Sequence, residues 1–124
     1  MGARFPRERR LRDGRDYRRL SQAPGRVSTS AFVCLHAAAR PETPDAAPRE
    51  RLGVTVSRRV GSAVVRNRVK RQLREWFRQR HPVAGPPLDL VVIARSRAGG
   101  MTRRELRSEL GRLGREIDRR RNHR

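Results

Sequence analysis

Residues 58–78, RRVGSAVVRNRVKRQLREWFR, place the strongest constraint on how this chain can fold. Val65, Val69, Leu73, Trp76 and Phe77 recur at helical spacing. At about 100° per residue they fill a sector of roughly 120°. Gly61 and Ser62 read as a turn and a helix start, with Ser62 at the N-cap. Asn67, Lys70, Arg71, Arg74 and Arg78 fall on the opposite side, and Arg66 and Arg68 flank the apolar seam. Glu75 is the one acid on that basic surface. One face of such a helix needs a core; the other suits an anion.

A charged helix face is ordinarily solvated, but solvated faces usually mix signs and gain from opposite charges four residues apart. Arg66, Lys70, Arg74 and Arg78 form a row of like charges at that spacing, which costs an isolated helix stability. A polyanion that neutralises the row explains it better. The whole chain supports this: 32 Lys and Arg against 12 Asp and Glu give 32 − 12 = +20 in 124 residues, spread along the length. Lys70 is the only lysine. Guanidinium groups fork phosphates and stack on bases, which suits RNA, although a compositional bias toward arginine would produce the same excess.

The length fits one domain with a modest core. No hydrophobic run approaches a membrane span and no signal peptide is apparent, so a cytoplasmic protein without membrane association is expected. Cys34 is alone in an apolar run, which excludes a disulfide framework and a thiolate zinc site and makes it a small buried hydrophobe.

In chain order, residues 1–10 read as a flexible basic N-terminus, 11–119 as a single domain and 120–124 as a basic tail, with RRRNHR frayed. Asp13 to Leu20 predicts a short helix, ended by Ala23, Pro24 and Gly25. Tyr17, among Arg15, Arg18 and Arg19, is either a core aromatic or a base-stacking platform. Residues 30–38 predict a strand with Phe32 and Cys34 on one face and Val33 and Leu35 on the other. The proline-rich, acidic residues 39–50 predict a loop. Residues 52–57 alternate as a half-buried strand, expected to form a hairpin with the first. After the basic helix, expected to end by His81 and Pro82, LDLVVIA (88–94) predicts a strand covered on both sides. Thr102 and Glu105 then form a capping box for a helix carrying Leu106, Leu110, Leu113 and Ile117. The order α-β-β-α-β-α indicates an α+β fold, a small mixed sheet with helices packed against it.

The residues offer no catalytic centre of their own. The acids are scattered, whereas a metal-dependent nuclease clusters them around cations. His36, His81 and His123 lack metal-ligand spacing, and there is no phosphate-binding glycine loop or nucleophile elbow. No catalytic and no metal-binding residue is therefore assigned. This is a binding protein by its own residues.

The string from Ser57 to Arg71, S-R-R-V-G-S-A-V-V-R-N-R-V-K-R, resembles the signature of the bacterial ribonuclease P protein subunit, centred on Arg66-Asn67-Arg68. R-L-R-x-x-x-D-Y from Arg10 to Tyr17, A-F-V at 31–33 and D-L-V-V-I-A-R at 89–95 extend the resemblance over about residues 9–118. It implies a fold similar to the second domain of ribosomal protein S5, with a left-handed βαβ crossover. It also implies the partners, the ribonuclease P catalytic RNA and precursor tRNA, with no obligate protein partner. The RNA would cleave the 5′ leader and bring the magnesium requirement, with no cofactor bound by a protein motif.

By the same resemblance, Arg58, Arg59, Arg66, Asn67, Arg68, Lys70, Arg71 and Arg74 would face the catalytic RNA. Tyr17, standing where the family usually has Phe, would line the precursor-tRNA leader cleft with Val33 and Leu35. Ser21 and Leu35 occupy positions where the family often has rings, so the cleft is less aromatic than usual. The alternative is a structural RNA-binding protein of ribosomal or assembly-factor type with the same fold. The G-x-A-V-x-R-N-R-x-K-R string and the placed Tyr17 favour the first reading.

Overall fold

The computed structural model describes residues 10–11, 14–22, 25–80 and 85–121. The expectations for residues 1–9, Asp13, Ala23, Pro24, His81, Pro82 and 122–124 lie outside them. The elements are α1 (Gly14–Ser21), β1 (Gly25–Ser28), β2 (Phe32–Ala38), β3 (Arg51–Thr55), α2 (Ala63–Gln79), β4 (Leu88–Ala94) and α3 (Arg103–Arg121). Short 3₁₀ turns at Arg58–Val60 and Ser96–Gly100 precede α2 and α3.

The α+β fold is as expected, and the structure adds β1, four residues whose burial pattern is too short to read from sequence. The strands form one sheet in the order β1-β2-β4-β3. β4 pairs antiparallel with β2, placing Val33 beside Ile93 and Leu35 beside Val91. It pairs parallel with β3, placing Arg51 beside Asp89 and Gly53 beside Val91. β3, α2 and β4 thus make a βαβ crossover. The expected β2–β3 hairpin does not form, because β4 stands between the two strands. The physical reason is burial: β4 is the most apolar strand, with only Ile93 less than fully buried, and the centre of the sheet covers both its faces.

The two sheet faces carry different layers. Phe32, Cys34, Leu52, Leu90 and Val92 pack on Val69, Leu73 and Phe77 of α2 and Leu106, Leu110, Leu113 and Ile117 of α3. The opposite face meets α1, where Leu20 and Tyr17 join Leu11, Leu35, Val91 and Ile93. Arg10, placed in the expected flexible segment, bridges to Leu52, and the Leu11 N–H donates to the Leu52 carbonyl at 3.0 Å.

The α3 capping box forms as expected: the Glu105 N–H donates to Thr102 Oγ1 at 3.1 Å, and the Thr102 N–H donates to Glu105 Oε1 at 2.8 Å. The helix passes the expected boundary at 119. Its last residue, Arg121, is not frayed but buried, with Nη2 donating to Glu50 Oε2 at 3.0 Å. A buried acid 71 residues away makes the terminal turn part of the core.

Candidate nucleic-acid interface

α2 starts where the sequence predicts, with Ser62 Oγ accepting from the Val65 N–H at 3.3 Å. Val69, Leu73 and Phe77 are buried and Val65 and Trp76 half-buried; Gln72, which the apolar pattern does not reveal, is buried with them. Two glycines shape the approach to this helix. Gly61 has φ +155°, and a Cβ there would stand 2.9 Å from Val65 Cγ1. At Gly99 a Cβ would lie 1.8 Å from the Val60 carbonyl oxygen, so the Ser96–Gly100 turn sits directly on the Arg58–Val60 turn.

The predicted RNA-facing residues are brought together on the outer side of α2 and the turn before it. Arg58, Arg59, Asn67, Arg68, Arg71 and Arg74 are exposed, and Arg66 and Lys70 half-buried. Backbone acceptors direct the two arginines of the triplet: Arg66 Nε donates to the Gly61 carbonyl and Arg68 Nη2 to the Gly99 carbonyl, both at 3.3 Å. Among the described residues, none of the seven cations in this set forms an ion pair with a carboxylate. Arg78, the fourth member of the like-charge row, does: it pairs with Glu75. Exposed Val64 lies within the same basic surface.

Other arginines are spent on structure. Arg51 forks Asp89, while Arg80 and Arg121 converge on Glu50 and Asp118. Uncompensated positive charge therefore concentrates where a polyanion can reach it. Sequence reasoning missed Arg95 and Arg97, exposed on either side of Ser96 in the turn that contacts Arg58–Val60. The signal was an R-S-R run directly after the most apolar strand.

The second set, Tyr17, Val33 and Leu35, lies on the other face of the sheet. Tyr17 and Leu35 are half-buried neighbours in one cluster, whereas Val33 keeps only 7% of its surface and forms floor more than wall. The Tyr17 ring rests on Gly53, where a Cβ would stand 2.5 Å from the phenol oxygen. Burial pushes the phenol above its usual pKa of 10.0, and a backbone hydrogen bond from Val54 opposes that shift less strongly. Tyr17 is thus part core and part open surface.

Among the described residues no three His, Cys, Asp or Glu side chains converge in a way that could hold a metal ion, and no helix is long and apolar enough to cross a membrane.

Comparison with known proteins places this geometry in context. The family model described as Ribonuclease P matches residues 5–118. A ribonuclease P protein component of Desulforapulum autotrophicum is 36% identical over 113 residues, covering 91% of this chain and 92% of that one. Another, from Syntrophobacter fumaroxidans, is 37% identical over 87% of each chain. The RNase P protein of Staphylococcus aureus superposes with a TM-score of 0.75 at 29% identity, covering 88% of this chain and 94% of that one. That of Thermotoga maritima gives 0.69 at 29% identity, over 89% and 96%.

Proposed function

The chain belongs to the ribonuclease P protein family, and from that membership we propose that it is the protein subunit of ribonuclease P, acting in tRNA 5′ maturation with a catalytic RNA. The basic face of α2 and the turn before it bind that RNA through Arg58, Arg59, Arg66, Asn67, Arg68, Lys70, Arg71 and Arg74. Arg95 and Arg97 widen the same surface. The opposite sheet face, with Tyr17 stacking and Leu35 and Val33 beneath, receives the single-stranded 5′ leader of precursor tRNA.

The observation that carries this reading is the separation of charge. Exposed cations without carboxylate partners gather on α2, while acid-paired arginines hold the layers together. An RNA on one face of the sheet and a leader on the other place the protein between ribozyme and substrate. The protein then contributes binding, charge neutralisation and orientation, and the RNA contributes the chemistry and its magnesium. The complex works in the cytoplasm and needs no further protein.

The test is cleavage of a precursor tRNA by a bacterial ribonuclease P RNA at low, near-physiological magnesium, with and without this protein. Strong stimulation, with the cut at the mature 5′ end and none from protein alone, is the expected result. RNA binding without stimulation would instead identify a structural RNA-binding protein that shares the fold.

A further inference from the structure

Helix α1 carries Tyr17 but has only eight residues, below the length at which a helix is stable alone in water. Its position is therefore set by what ties it to the sheet. One tie is apolar, Leu20 at 0% exposure. The other is a cluster of charges. Asp89, fully buried on β4, has Oδ1 accepting from Arg51 Nε at 2.9 Å. Its Oδ2 accepts from Arg51 Nη2 at 2.9 Å, from the Arg40 N–H at 3.3 Å and from Arg19 of α1. Asp16, also on α1, lies 3.3 Å from Arg19 and 3.6 Å from Arg51.

The register connects this cluster to the leader surface. Arg51 and Asp89 form one cross-strand pair, and Gly53 and Val91 form the next pair on the same face. Two residues of strand span about 7 Å, and α1 lies across both pairs, with Arg19 over the first and Tyr17 over Gly53.

We infer that Asp89 is a positioning residue for the leader site: through Arg19 it fixes where α1, and with it the Tyr17 ring, stands on the sheet. The cluster lies on the α1 face of the sheet, opposite the face covered by α2. Apolar packing of Leu20 and Tyr17 holds α1 against the sheet but tolerates sliding. Arg19, in contrast, is fixed to one oxygen of a buried carboxylate that Arg51 already forks, and moving it away would cost Asp89 one of these two cations. The inference rests on Tyr17 contacting the leader, and its test separates the two.

The full-length protein is reconstituted with a bacterial ribonuclease P RNA, and affinities for leader-bearing precursor and mature tRNA are compared. Arg19→Gln is expected to lower the precursor-to-mature preference about fivefold, the loss of roughly one stacking contact, with affinity for the ribonuclease P RNA unchanged. Arg19→Lys, which keeps a charge for Asp89, is expected to restore part of it. In a Tyr17→Ala background Arg19→Gln is expected to cost nothing further. Additive losses would mean that Arg19 meets the leader itself and would overturn the inference, as would an Arg19→Gln variant with full preference beside a defective Tyr17→Ala. If Tyr17→Ala alone changes nothing, the leader reading falls and takes this inference with it. Asp89→Asn should reproduce Arg19→Gln if it folds; Arg19, at the rim of the cluster, decides the question either way.

Discussion

Glu50 and Arg51 are adjacent in the chain and enter opposite faces of the sheet. The Glu50 carboxylate accepts from the Leu88 N–H at 2.8 Å and from Arg121 Nη2 at 3.0 Å, tying the start of β4 to the end of α3. Arg51 forks Asp89 on the other face, at 2.9 Å for each bond, and reaches the α1 layer. Alternation along a strand makes this possible: one dipeptide at the start of β3 holds both helical layers to the sheet. In a chain of net charge +20 these few buried acids matter more than their number suggests.

Arg121, at 2.8 Å, stands closer to the buried Glu50 carboxylate than Arg80 does at 3.7 Å. Arg121→Ala should therefore destabilise the fold by about 3 kcal/mol. Urea unfolding at fixed salt measures this, and a loss below about 1 kcal/mol would show that the end of α3 contributes little.

On α2, Arg71 is exposed and, among the described residues, has no carboxylate partner, while Arg78 is paired with Glu75. Arg71→Ala should weaken binding to the ribonuclease P RNA and lower the slope of log affinity against log salt by up to about one. Arg78→Ala should change the slope less. Equal slopes for the two variants would mean that the ion pairing within α2 does not persist in the complex.

Tyr17→Phe keeps the stacking ring and removes the hydroxyl held by Val54. Leader binding should persist, with at most about 1 kcal/mol lost in stability. Tyr17→Ala should weaken leader-bearing precursor and spare mature tRNA. Equal losses on both substrates would return Tyr17 to a purely structural role.

Gly53→Ala introduces a Cβ at 2.5 Å from the phenol oxygen and 2.8 Å from Cζ of Tyr17. The ring must move, so precursor preference should fall while affinity for the ribonuclease P RNA stays. Preference equal to the parent protein in a binding titration would show that the ring finds the leader from a displaced position.

Burial pushes the Cys34 thiol up to about 12 from 9.0, with Arg80 pulling down and Glu50 up by smaller amounts. Because the folded value is raised, this contribution to stability is complete below pH 9.0 and is lost as pH rises toward about 12. Chemical denaturation from pH 8 upward should show that decline, and Cys34→Ala should flatten it. An identical pH profile in the variant would assign the decline to other groups.

The local devices were legible in the chain. The α2 stripe of Val69, Leu73 and Phe77, the Ser62 cap and the Thr102–Glu105 capping box depend on neighbours three or four residues apart, and all stand as the spacing predicts. The R-N-R string carried the family. β1 was not legible, because four residues supply too little alternation.

What only the tertiary structure decided is which charges are free and which strands are neighbours. β4 separates β2 from β3 because the centre of a sheet is the one place that buries a strand on both faces, and sequence order does not state that pairing. Arg51, Arg19 and Arg121 look like any other arginine in the chain. They are set apart by acids 38, 70 and 71 residues away, contacts that exist only once the sheet has formed. Periodicity placed the basic face; long-range pairing decided which arginines elsewhere in the chain hold the layers together.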